Sequence, residues 1–183
     1  KIIVIGDYPS RDDEYSKKPF SGGPETGNSI LKRVFAGLGY NLETDVYMVY
    51  ALRCNPYRMS AKPQMKPAFL KACRTTNLDV ELAKVDCSVI LTLGKEAINS
   101  IFPDENLSVM NSRGKWRQAN FGGKERLVRA SFNLNQVQRL SLWTLKPDSL
   151  ERDKRWNPTG SCGWFFQQDI RAVHEKVKEI ISV

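Results

Sequence analysis

The sequence predicts a three-layer α/β/α domain built on a central four-stranded parallel sheet. Three observations predict it. Four short runs are rich in Ile, Val and Leu: Ile2–Ile5, Val46–Ala51, Val89–Leu93 and Leu127–Ala130. Continuous apolarity over so short a span suits a strand buried on both faces. Apolar stripes at helical spacing lie between these runs, and strands alternating with helices close as a parallel sheet covered on each side.

The elements follow in order. Ile2–Ile5 opens the chain and delivers "GDYPS" to the sheet edge. Ile30, Leu31, Val34, Phe35 and Leu38 line one helix face, which Gly37 and Gly39 close. Val46–Ala51 ends in "YALRCNPYR", and Phe69, Cys73, Thr76, Val80 and Ala83 then step along a second helix. Val89–Leu93 turns through Gly94 into a short helix marked by Ala97, Ile98, Ile101 and Phe102. Leu127–Ala130 leads to "RASFNLNQVQR", and Phe166, Ile170, Val173, Val177 and Ile180 make the terminal helix amphipathic. Asn106–Lys124 and Ser141–Gly163 are polar and rich in Gly, Pro, Arg and Trp, and read as long loops. Residues 1–183 read as one domain.

Composition narrows the class. A chain of 183 residues with 41% hydrophobic and 26% charged residues is globular, and no apolar run is long enough for a membrane span. The chain opens on a core strand without Met or a signal pattern, which reads as a domain excised from a longer protein. Cys54, Cys73, Cys87 and Cys162 are spread without a CxxC pair, which fits a reducing, cytoplasmic or nucleoid-associated setting. His174 is the one histidine, so Ser-His-Asp chemistry, HExxH and His-rich metal sites are excluded unless they run through it. Twenty-eight Lys and Arg against 20 Asp and Glu give a net charge of +8, which favours a polyanion such as single- or double-stranded DNA.

In parallel α/β folds ligands sit beyond the carboxyl ends of the strands. Asp7, Tyr8, Phe20, Tyr50, Arg53 and Asn133 are therefore the candidate lining of a cleft. The surrounding loops carry Arg53, Arg58 and Lys62 after the second strand, Arg113, Lys115 and Arg117 before the fourth, and Arg139 beyond it. Tyr57, Trp116, Phe121, Phe132 and Trp143 interleave with these cations, and such a surface holds phosphates and stacks bases. "LGKEA" lacks the phosphate-loop spacing, and its glycine serves the strand-to-helix turn. Among the opening carboxylates, Asp7 stands at the strand end, to orient a water or to pair with Arg53. Asp12, Asp13 and Glu14 read as a solvated, flexible loop.

The order "IVIGDYPS", "KPFSGGPETGNSIL", "VYALRCNP", "VILTLGKEAI" and "VRASFNLNQVQR" resembles the uracil-DNA glycosylase superfamily, in particular its iron–sulfur type, family 4. The resemblance implies that Phe20 is the ring on which a flipped base stacks, that Asp7 replaces a Glu or Gln, and that Tyr8 occupies a position variable among relatives. It also implies that Tyr50 replaces the Asn that reads uracil, Asn133 the catalytic His, and Val137 the residue that wedges into the base stack. Cys54 and Cys73 match two of the family's four cluster ligands. The other two have no counterpart, so no cofactor is expected; an iron–sulfur cluster would have to recruit Cys87 and Cys162.

Two functions follow. One is a base-excision DNA glycosylase of altered or weak activity, with Asp7 and Asn133 as catalytic residues and Tyr8, Phe20 and Tyr50 in the base pocket. The other is a catalytically inactive glycosylase-fold domain that binds DNA or a replication or repair protein, for instance as part of a phage replication protein. A third role, binding of a partner protein by the loop Trp143–Trp164, belongs to another class.

Overall fold

β1 (Ile2–Gly6) is buried along its whole length, as its unbroken apolar run requires. The protein's structure, a computed structural model, describes residues 1–23, 26–57, 66–141 and 161–182. β1 pairs in parallel with β2 (Val46–Tyr50) on one side and with β3 (Val89–Leu93) on the other. β4 (Trp116–Phe121) and β5 (Lys124–Ser131) form an antiparallel hairpin, and β5 pairs in parallel with β3. The order across the sheet is β2-β1-β3-β5-β4.

The sheet is therefore α/β as expected, but it has five strands rather than four. The additional strand, β4, lies inside the stretch expected to be a loop. Gly122 and Gly123, at φ 61° and 73°, supply the two left-handed residues that a tight hairpin needs. Only Phe121 of β4 is buried, so this edge strand shows no apolar run.

Helices cover both faces. α1 (Arg11–Ser16) and α2 (Gly27–Gly37) follow β1, and α3 (Lys66–Cys73) continues through a π-helical turn, Arg74–Leu78, into α4 (Asp79–Ala83). α5 (Lys95–Ile101) and α6 (Val109–Ser112) follow β3, and α7 (Leu134–Ser141) and α8 (Cys162–Ile181) follow β5. Alternate residues of β1 face two cores. Ile2 and Val4 meet Leu31 and Phe35 of α2 and Phe166, Ile170 and Val173 of α8. Ile3 and Ile5 meet Leu78, Leu82, Ala97 and Ile98 on the other side.

Two buried polar clusters pin the outer layers. Asp169 of α8 accepts hydrogen bonds from Arg129 Nε (3.1 Å), Ser131 Oγ (2.9 Å) and Arg113 (3.3 Å), which fixes α8 to β5. Arg126 donates to the carbonyls of Phe121, Cys87, Leu82 and Val85, tying the hairpin to α4. His174 is half-buried on α8 with Nδ1 3.0 Å from the Tyr40 hydroxyl, a contact between α8 and the chain after α2. No helix among the described residues is long and apolar enough to cross a membrane.

Candidate functional site

The chain leaves β1 at the topological switch point, where β2 lies to one side and β3 to the other. Asp7 stands there. Its Oδ1 accepts from Ala97 N at the start of α5 (2.9 Å), and Oδ2 lies 3.4 Å from Asn133 Nδ2. Burial, followed by the charge of Glu96, raises the Asp7 carboxyl to about 7. Gly94 makes the placement possible: it sits at φ 114°, and a Cβ there would collide with the Asp7 carboxylate. Arg53, the alternative partner, pairs with Glu81 instead, beside the Tyr47 hydroxyl.

Phe20 and Tyr50 come together, but against each other. Their rings stack with centroids 4.6 Å apart and planes 20° from parallel, and Phe20 is only 1% exposed. The Tyr50 hydroxyl donates to Asp13 Oδ2 (2.8 Å) and accepts from Phe20 N (3.2 Å), so ring and backbone are locked together. Gly6 gives them space, since a Cβ on it would lie 2.8 Å from Tyr50 and 2.9 Å from Phe20.

Asp13 overturns the expectation of a solvated, flexible loop. It is buried within α1, where Ser10 and Asp13 form a capping box, and it accepts from Ser10 N, Ser10 Oγ, Ser21 N and Ser21 Oγ as well as Tyr50. Burial alone would push its carboxyl up, but these hydrogen bonds outweigh it and hold the group below the usual range. The spacing of Ser10 and Asp13 was the available signal for the cap. Nothing in the sequence pointed to Tyr50 as the partner.

An open cavity of about 390 Å³ lies in front of these residues. Asp7, Tyr8, Phe20, Tyr50 and Asn133 all line it, together with Asn28 and Tyr57. Tyr8 meets Tyr57 edge to face with centroids 5.6 Å apart. Asn133 Oδ1 also accepts from Gln136 N (2.9 Å), so this residue caps the first turn of α7. Asn28 was signalled by its spacing: it stands three residues before Leu31 and seven before Phe35, a polar side chain on the buried face of α2.

The expected DNA-contacting residues divide. Lys115 and Arg139 are exposed. Arg117 is held by both Glu105 oxygens (2.7 and 2.6 Å) and stands over the Phe102 ring. Arg113 is held by Asp169 and lies 3.8 Å from the Phe165 ring centroid, so it anchors α8 and does not present a free charge. Val137 is a further correction: it is 1% exposed in the core under α7 and does not project as a wedge. Arg58, Lys62 and Trp143 lie outside the described residues.

The cysteines do not assemble a four-thiolate site. Cys54 is exposed and Cys73 half-buried, and the Cys73 charge helps raise the Cys54 thiol after burial, which places the two close together. Cys87 lies elsewhere, with Sγ 2.9 Å from Lys1 O, and Cys162 begins α8. The described residues thus bring together two of the four thiolates an iron–sulfur cluster takes, and hold no group of three metal-ligating side chains.

A carboxyl at a switch point, a cavity beyond the strand ends and rings at its wall make up the candidate site of this α/β protein. Within that class, residues 1–169 match the model of the Uracil DNA glycosylase superfamily, and the chain belongs to it. The chain is 26% identical over 136 residues to the Type-4 uracil-DNA glycosylase of Archaeoglobus fulgidus, a match covering 73% of this chain and 64% of that protein. The chain thus spans less than two thirds of the length of the curated relative it matches.

Proposed function

We propose that this domain binds DNA and does not excise uracil at an appreciable rate. One observation carries the reading: the Phe20 ring, the base platform implied by the family resemblance, is sealed by Tyr50. A base that stacked there would have to displace a ring held by the Asp13 and Phe20 hydrogen bonds. Asn133 adds to the deficit, because a neutral amide replaces a residue that carries a cation to the departing base. Loss of one such donor costs about 10²–10³ in rate.

The family and the charge of +8 support DNA as the partner. Among the described residues singled out, Lys115 and Arg139 remain for phosphate contacts. Fluorescence-anisotropy titration with a DNA oligonucleotide over a range of salt tests this reading. Log affinity should fall with log salt, and Lys115→Ala and Arg139→Ala should each lower the slope by about 1. Affinity independent of salt would reject it.

A second reading has its own observation. A carboxyl raised to about 7 at the cavity is poised as a general base near neutral pH, so Asp7 favours an altered glycosylase activity. In that reading Asp7 orients water towards a nucleotide other than deoxyuridine.

A further inference from the structure

We infer that the cavity beside the sealed platform holds one unpaired nucleobase against Tyr8 and Tyr57, with Asn28 reading its hydrogen-bonding edge. This rests on the DNA-binding reading above, and it moves the base from Phe20 and position 50 to a different set of side chains.

Asn28 carries the inference. It is only 9% exposed, it lines the cavity, and its side-chain amide makes no hydrogen bond among the described residues. Its amide atoms are not sealed from solvent, so they are open to a ligand in the cavity. Three neighbouring polar groups in the cavity are already engaged: Asp7 with Ala97 N, Asn133 with Gln136 N, and Gln138 Oε1 with Gly27 N (3.2 Å). Asn28 therefore presents both a donor and an acceptor, the pair with which an amide reads a base edge.

Charge and shape select the same ligand. Among the described residues Arg11 is the one cation in the lining, against the carboxyls of Asp7, Asp12 and Asp13. A free anion is disfavoured there, whereas a neutral heterocycle carrying amide-like edges is not. Tyr57 is 65% exposed at the rim, with its edge contact to Tyr8 inside, and an exposed ring at the mouth of a base-sized cavity is a stacking surface for single-stranded DNA. The cavity volume of about 390 Å³ lies within the range of small-molecule sites.

The test compares two single-stranded oligonucleotides by fluorescence anisotropy. One is composed wholly of abasic sugar-phosphate units, and the other carries a single base, each natural base and uracil in turn. The wild-type protein should bind the best base-bearing strand about tenfold more tightly than the abasic one. Asn28→Ala should reduce that preference to about twofold or less without changing the salt dependence. Asn28→Asp keeps the shape but loses the donor, and should change which base is preferred. Tyr57→Ala, a surface change that leaves the core intact, should also weaken the preference, and circular dichroism melting confirms that each variant is folded. Equal wild-type affinity for base-bearing and abasic strands overturns the inference while leaving DNA binding in place. So does a preference that survives in Asn28→Ala and Tyr57→Ala. Failure to bind either strand overturns the inference and the DNA-binding reading together.

Discussion

Asp13→Ala is expected to lower the folding free energy by roughly 3–5 kcal/mol, the cost of removing one partner from a buried, charge-assisted network. Its carboxylate receives two donors from Ser10, two from Ser21 and the Tyr50 hydroxyl, all of which would lose their acceptor. The same residue closes the cap of α1 and holds Tyr50 over Phe20. Urea unfolding at pH 7 measures the loss. A loss below about 1 kcal/mol, the size of a surface change, would mean that solvent replaces these bonds and that Tyr50 is not locked. The pH dependence has a definite sign. The folded carboxyl sits below its unfolded value of 3.8, so its stabilisation is present above about pH 4 and is lost as pH falls through the folded value.

Asp7 acts in the opposite direction. Its carboxyl rises from 3.8 unfolded to about 7 folded, so folding favours the protonated form. Stability is therefore lost as pH rises from about 4 to about 7, by at most about 4 kcal/mol for a shift of this size. Solvent in the open cavity lowers that ceiling. Urea midpoints at pH 5 and pH 8 span the upper, larger part of the transition, and both lie above the range in which Asp13 titrates. Wild-type protein should be less stable at pH 8, and Asp7→Asn should remove most of the difference. If the two proteins show the same pH dependence, Asp7 is solvated and carries an ordinary carboxyl. The functional consequence is that near neutral pH a substantial fraction of molecules carries Asp7 protonated, unable to accept a proton from water.

The parallel strands were legible because burial on both faces leaves a run of Ile, Val and Leu with no polar interruption. β4 was hidden for the converse reason: an edge strand with one buried residue has no such run, and only Gly122–Gly123 marked its turn. α1 was hidden too, since "RDDEYS" has no apolar stripe and its stability comes from the Ser10–Asp13 cap. Asp7 at the end of β1 was placed correctly at the cavity because its position follows from the strand alone. What escaped the sequence were the pairings. Arg53 with Glu81, Arg117 with Glu105, and Arg113 with Asp169 each join different elements, so a charge count overstated the cations free to meet phosphate. Tyr50 is the clearest case: the substitution was visible, but only the fold showed its ring on Phe20 and its hydroxyl on Asp13.

The central claim is that a glycosylase-superfamily domain binds DNA with its base platform sealed. Its most direct test is single-turnover uracil excision, with protein in excess over a labelled uracil-containing single strand and binding confirmed by anisotropy in the same sample. Abasic sites are then revealed by alkaline cleavage. The account predicts a bound oligonucleotide with no cleavage above the protein-free control. Cleavage that proceeds with the wild-type protein and stops with Asp7→Ala would contradict it.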